Sequence, residues 1–151
     1  MLIEHRLDIE APPSVVFALN TNIERWPSLT PTVTSVERLD QGPLRVGSQA
    51  RIKQPWQRPT VWTVTALEPD ARFVWGAASA GVTAVATHLV EPTPSGARNV
   101  LRLELSGVGA RLLSPLLRRR LLTVLRTENE GFQREAQRLA ADQNADSVAP
   151  G

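Results

Sequence analysis

His88 is one of only two histidines in this 151-residue chain. It stands in the stretch Ala86-Thr87-His88-Leu89-Val90, where strict alternation puts it on the same apolar face as Ala86 and Val90. An imidazole on such a face with no carboxylate beside it is held neutral by burial. It can then orient a bound molecule through one hydrogen bond, or act as a general acid or base if its pKa stays near the working pH. His5 has the same inward phase on the first strand, near an end where solvent enters. Glu128 is the one carboxylate on the apolar stripe of the last helix, and a helix Glu near the end of a stripe is expected to be solvated. Arg118, Arg119 and Arg120 point in three directions from that helix. With Leu117 at the centre of the stripe, Arg120 lies about 60° to one side, where it could meet a carboxylate or phosphate at the mouth of a cavity.

Composition excludes much other chemistry. With no Cys and two His, thiol nucleophiles, disulfides, iron–sulfur centres, zinc ribbons and a three-histidine metal site all drop out. No P-loop or dinucleotide glycine loop, serine nucleophile elbow or paired carboxylates at a workable spacing are present, so no cofactor and no metal are expected. Gly107-Val108-Gly109 is too short for a phosphate cradle. The pI near 10.3 accompanies a formal charge of only +2. Lys53 is the single lysine and there is no Tyr, so little titrates between neutrality and the arginines. Nucleic-acid binding needs clustered charge, and the cluster of Arg111, Arg118, Arg119, Arg120 and Arg126 is dispersed around a helix; neither nucleic-acid binding nor membrane insertion is expected. A cytoplasmic location is expected, and the arginine- and alanine-rich usage suits a GC-rich bacterial genome.

The elements that must position these residues alternate between two periods. Ile3, His5, Leu7 and Ile9 interleave with charged residues as one strand with a wet face. Pro12, Pro13 and Ser14 open a short helix through Val15–Leu19, and a second helical turn around 21–26 is expected to stop at Pro27. Six β-rich runs follow, at 33–39, 47–54, 60–67, 72–77, 82–90 and 97–106, with connections too short for parallel crossovers. Ser114-Pro115 starts a helix expected to run to 141, with Leu113, Leu117, Leu121, Val124, Phe132, Ala136 and Leu139 as its apolar stripe. Leu117, Leu121, Val124 and Phe132 are expected to be buried against the sheet. The chain thus divides into one domain, 1–141, and a disordered tail, 142–151.

Seven pieces in this order carry a family resemblance: Ile9-Glu10-Ala11-Pro12-Pro13 with Val16-Phe17, Glu24-Arg25-Trp26-Pro27, Val46-Gly47-Ser48, Trp62 through Pro69, Phe73-Val74-Trp75, Glu91-Pro92 with Gly96-Ala97-Arg98, and Glu130-Gly131-Phe132. The sequence resembles the START-like, helix-grip superfamily also called SRPBCC or polyketide cyclase/dehydrase-like. The resemblance implies an α+β fold: a curved seven-stranded antiparallel sheet wrapped around the long C-terminal helix, with two short helices after strand 1. It also implies a hydrophobic cavity between sheet and helix.

That cavity's expected wall takes Ile52, Trp62, Phe73, Trp75, Ala86 and His88 from the strand alternation and Leu117 and Leu121 from the helix stripe, with Trp26 beside them and Arg120 at the mouth. The first functional reading is binding of a hydrophobic or aromatic, lipid- or polyketide-like small molecule. The second is an enzyme of polyketide cyclase or dehydratase type with His88 as acid/base. A third is a membrane-surface or protein-docking module that uses the arginines and Leu112, Leu116 and Leu122.

Overall fold

The computed structural model describes residues 1–148. Strand β1 (Leu2–Ile9) leads into α1 (Pro13–Thr21), a 3₁₀ turn (Ile23–Arg25) and α2 (Trp26–Leu29). Then come β2 (Ser35–Arg38), β3 (Gln49–Gln54), β4 (Gln57–Glu68), β5 (Arg72–Ser79), β6 (Val82–Thr93) and β7 (Gly96–Ser106), a 3₁₀ turn (Gly109–Leu112), and α3 (Pro115–Val148). The seven strands form one antiparallel sheet in the order β1-β7-β6-β5-β4-β3-β2. Every neighbour from β2 to β7 is also a neighbour in sequence. The first strand closes the other side by pairing β7, with Ile3 opposite Leu103 and Ile9 opposite Ala97. This is the helix-grip architecture expected from the sequence.

Three of the boundary differences fall at prolines. Pro27 does not stop the second helical turn; it lies in the first turn of α2, where its missing N–H has no acceptor to lose. Pro59 lies within β4, before β5 pairing begins at Thr63. Pro92 lies within β6 beyond Leu89, the last residue of the described β5 ladder. Each occupies a stretch where one strand edge is free. Helix α3 does not end at 141 but runs to Val148, since 142–148 contains neither Gly nor Pro and each added residue adds a backbone bond. Residues 149–151, the rest of the expected tail, lie outside the described residues.

Ser114 caps α3, its Oγ accepting from the Leu117 N–H at 3.2 Å. Farther along, Phe132 and Ala136 are buried in the core with Ile3, Ile9 and Val16, clamping α3 to β1 and α1. Gly131 lets α3 approach α2 so closely that an added Cβ would overlap the Leu29 carbonyl oxygen. The clamp leaves the first turns of α3 standing off the sheet. Phe132 is buried as expected, but Leu117, Leu121 and Val124 are only half-buried and wall an opening. There are too few large side chains opposite them, at Ala84 and Ala86, to fill the gap.

Candidate functional site

The space under the start of α3 is a cavity of about 380 Å³, within the range that holds a drug-sized ligand. Strand alternation positions its aromatic wall. Trp62 of β4 and Trp75 of β5 have ring centroids 5.4 Å apart, and Trp75 meets Trp26 of α2 edge-on at 5.3 Å. The indole N–H of Trp26 donates to the Leu19 carbonyl at 3.2 Å, which ties α2 to α1 and leaves the rings facing the cavity. Trp75 stands directly opposite Ala86 across the β5–β6 ladder.

Eight of the ten residues named from the sequence line this cavity: Trp26, Ile52, Trp62, Trp75, Ala86, His88, Leu117 and Leu121. Phe73 does not, being fully buried one layer away, where it packs on Trp75 and His88. Arg120 does not either: it is exposed on the outer side of α3, because 60° from the stripe is already past the edge of a helix that stands off the sheet. The arginine cluster is partly engaged elsewhere, with Arg118 donating to the Leu2 carbonyl at 3.0 Å.

His88 lies between two rings, Trp26 at a centroid distance of 5.3 Å and 25° and Phe73 at 4.7 Å and 22°. Its Nδ1 is 2.8 Å from Oδ1 of Asn20. No carboxylate is within hydrogen-bonding reach, and burial drives its pKa down to about 3. The imidazole is therefore neutral at physiological pH.

Glu128 departs most from expectation. It lines the cavity instead of standing in solvent. Burial pushes its pKa up to about 7, against the opposing effect of the Thr32 hydroxyl, which donates to Oε1 at 3.0 Å. The close approach at Gly131 is what brings Glu128 against the buried Thr30–Thr32 turn, where the two hydroxyls are 2.9 Å apart. The signal was present in the sequence, because Glu128 lies seven residues after Leu121 and four before Phe132, on the stripe itself.

Behind the cavity runs a chain of buried amides that alternation alone did not single out. Asn20, Asn99 and Asn129 are each 0% exposed. Asn20 donates to Asn99 at 3.0 Å and Asn99 to Asn129 at 2.9 Å, and Asn129 reaches Nδ1 of His5 at 3.1 Å. Asn99 lies two residues before Leu101 on the inward face of β7, so its burial was legible. Its partners, on α1 and α3, are joined only by the tertiary fold. His5, at the far end, has its pKa lowered by burial and by Arg126, with Glu130 opposing.

Among the described residues, no helix is long and apolar enough to cross a membrane. No functionally curated protein matches the chain in a sequence comparison. Solved structures match it closely in fold. The hypothetical protein jhp0584 of Helicobacter pylori superposes with a TM-score of 0.79 at 15% identity, over 90% of this chain and 88% of that one. Ginseng major latex-like protein 151 from Panax ginseng gives 0.73 at 10% identity, over 90% and 97%. The di-domain ARO/CYC StfQ from the steffimycin biosynthetic pathway gives 0.71 at 16% identity, over 95% of this chain and 51% of that one. The model of the family described as polyketide cyclase / dehydrase and lipid transport matches residues 2–142, and the chain belongs to that family.

Proposed function

We propose that the protein binds an apolar or aromatic small molecule in the cavity between the sheet and α3. The observation that carries this reading is the cavity itself, walled mainly by apolar side chains such as Trp26, Trp62, Trp75, Leu117 and Leu121, with His88, Glu128 and Arg102 among the polar residues that line it. A preformed apolar enclosure with a small number of convergent polar atoms is what ligand sites look like. Filling it removes apolar surface from water at roughly 25 cal/mol per Å². The family description supports the same class of ligand. Four tryptophans in the wall, Trp26, Trp56, Trp62 and Trp75, make the test direct: aromatic and fatty probes should change the intrinsic fluorescence saturably, and native mass spectrometry of freshly purified protein should show a co-purified hydrophobe. Fluorescence indifferent to every such probe would overturn the reading.

A second reading, an enzyme of cyclase or dehydratase type, is favoured by one observation. Glu128 brings to the cavity a carboxyl group that gains and loses its proton at about pH 7, which is where a general acid/base works best. His88 is ill suited to that role, since a base with a pKa of about 3 has little affinity for a substrate proton. The likeness to an ARO/CYC domain fits this reading. Turnover of a polyketide substrate lost in Glu128→Gln with probe affinity unchanged would establish it; absence of turnover leaves binding as the function.

A further inference from the structure

The amide chain behind the cavity has a direction. Nδ2 of Asn129 meets two backbone carbonyls, of Asn99 at 3.0 Å and of His5 at 3.3 Å, so the nitrogen of that amide must lie on their side. Its Oδ1 is then the acceptor for Asn99 Nδ2 at 2.9 Å. This leaves Asn99 Oδ1 to accept from Asn20 Nδ2, which is fixed a second time by the Val16 carbonyl at 2.8 Å. Asn20 therefore presents Oδ1, an acceptor, to Nδ1 of His88 at 2.8 Å. A neutral imidazole facing an acceptor carries its hydrogen on that nitrogen. The other nitrogen, Nε2, is left as a bare lone pair. It makes no hydrogen bond to the described residues, is not among the side-chain atoms sealed from solvent without a partner, and belongs to a residue that lines the cavity.

We propose that the cavity selects aromatic ligands that present a ring hydroxyl to Nε2 of His88, and discriminates against the same skeleton carrying an ether in its place. This rests on the ligand-binding reading above. The rings of Trp26, Trp62 and Trp75 favour a flat apolar body. A phenolic O–H supplies the missing donor without a charge. A ligand lacking one covers Nε2 and leaves it unpaired, which is the expensive way to lose a hydrogen bond. Asn20 acts here as a positioning residue: it touches no ligand, and sets which nitrogen of His88 can accept.

The experiment compares 1-naphthol, 1-methoxynaphthalene and naphthalene by tryptophan fluorescence, alongside the ¹⁵N shifts of the His88 imidazole in the free protein. The expected result is 1-naphthol binding roughly fivefold more tightly than 1-methoxynaphthalene, a preference that disappears in His88→Phe, and ¹⁵N shifts showing hydrogen on Nδ1 and none on Nε2. The imidazole spectrum needs no variant, so a His88→Phe protein that fails to fold leaves the test intact. Equal binding of naphthol and its methyl ether by the natural protein, or hydrogen on Nε2, overturns this inference while leaving ligand binding standing. If none of the three binds, this inference falls, while the ligand-binding reading falls only if fatty probes leave the fluorescence unchanged as well.

Discussion

Nδ1 of His88 lies 2.8 Å from Oδ1 of Asn20, and across that contact a cavity residue of β6 is joined to the end of α1. Asn20 is fully buried and satisfies three partners at once: the Val16 carbonyl, Oδ1 of Asn99 and the His88 imidazole. A buried amide with all its bonds made holds elements in register; one removed leaves each partner stranded.

Asn20→Leu should therefore cost more than the net value of any single hydrogen bond. Leu keeps the branching and the number of side-chain heavy atoms but carries bulkier methyls into a site with no free space, while the Asn99 amide oxygen and the His88 imidazole N–H lose their partner. We expect a loss of about 2–4 kcal/mol in urea unfolding. A change below about 0.5 kcal/mol, the size of an ordinary surface substitution, would show that the amide chain contributes nothing.

His88, which is buried, and Glu128, which is half-buried against the cavity, act on stability in opposite directions. Glu128 keeps its proton to about pH 7 in the folded chain against an ordinary 4.5. Its contribution is full below 4.5 and is lost as pH rises through 7. His88 resists protonation down to about 3 against an ordinary 6.5, so stability falls as pH drops from 6.5 toward 3. Between 4.5 and 6.5 the two slopes offset one another. Glu128→Gln removes one of them. Its stability relative to the natural protein should improve by on the order of 2–3 kcal/mol between about pH 5 and about pH 8. A difference that stays flat over this range would mean that Glu128 is ionised in the folded state and faces water.

Filling the cavity separates binding from folding. Ala86 lines it opposite Trp75, and a larger apolar side chain there enters empty space without crowding packed atoms. Ala86→Leu should raise stability by about 1 kcal/mol through added apolar burial and abolish the fluorescence response to naphthalene-sized probes. A destabilised Ala86→Leu protein that still binds them would place the ligand elsewhere.

How much of this was legible in the sequence follows from which interactions are local. The antiparallel sheet, the capped start of α3 and seven of the eight cavity residues, all but Trp26, follow from period-2 and period-3.6 patterns, because those patterns decide which face each side chain takes. Phe73 shares the inward phase of Trp75 yet is core, since alternation gives the face and not the depth beneath it. Glu128 was misplaced for the converse reason: a carboxylate on an apolar stripe is solvated unless the tertiary fold supplies a donor, and Thr32 lies 96 residues away in the chain. The amide chain and the two histidines at its ends span five elements, so no local pattern could join its members.

Gly131 gives the sharpest test of how Glu128 comes to line the cavity. In an exposed helix interior, Gly→Ala gains about 1 kcal/mol because Ala loses less conformational freedom on folding. Here the added Cβ would run into the Leu29 carbonyl oxygen, a backbone atom of α2 that cannot swing aside as a side-chain tip can. Relief requires α3 to move off α2, and that movement also lengthens the bond from Thr32 to Glu128, which lies one turn earlier on the same helix. Gly131→Ala should accordingly lower stability by about 1–3 kcal/mol in spite of the better helix former. It should also bring the midpoint of Glu128 titration, followed by carboxyl ¹³C shifts, down from about 7 toward its ordinary 4.5 as water enters beside it. A Gly131→Ala protein stabilised by the usual helix increment, with Glu128 titrating unchanged, would mean that the two helices do not touch at this point and that another contact holds the carboxyl in the cavity.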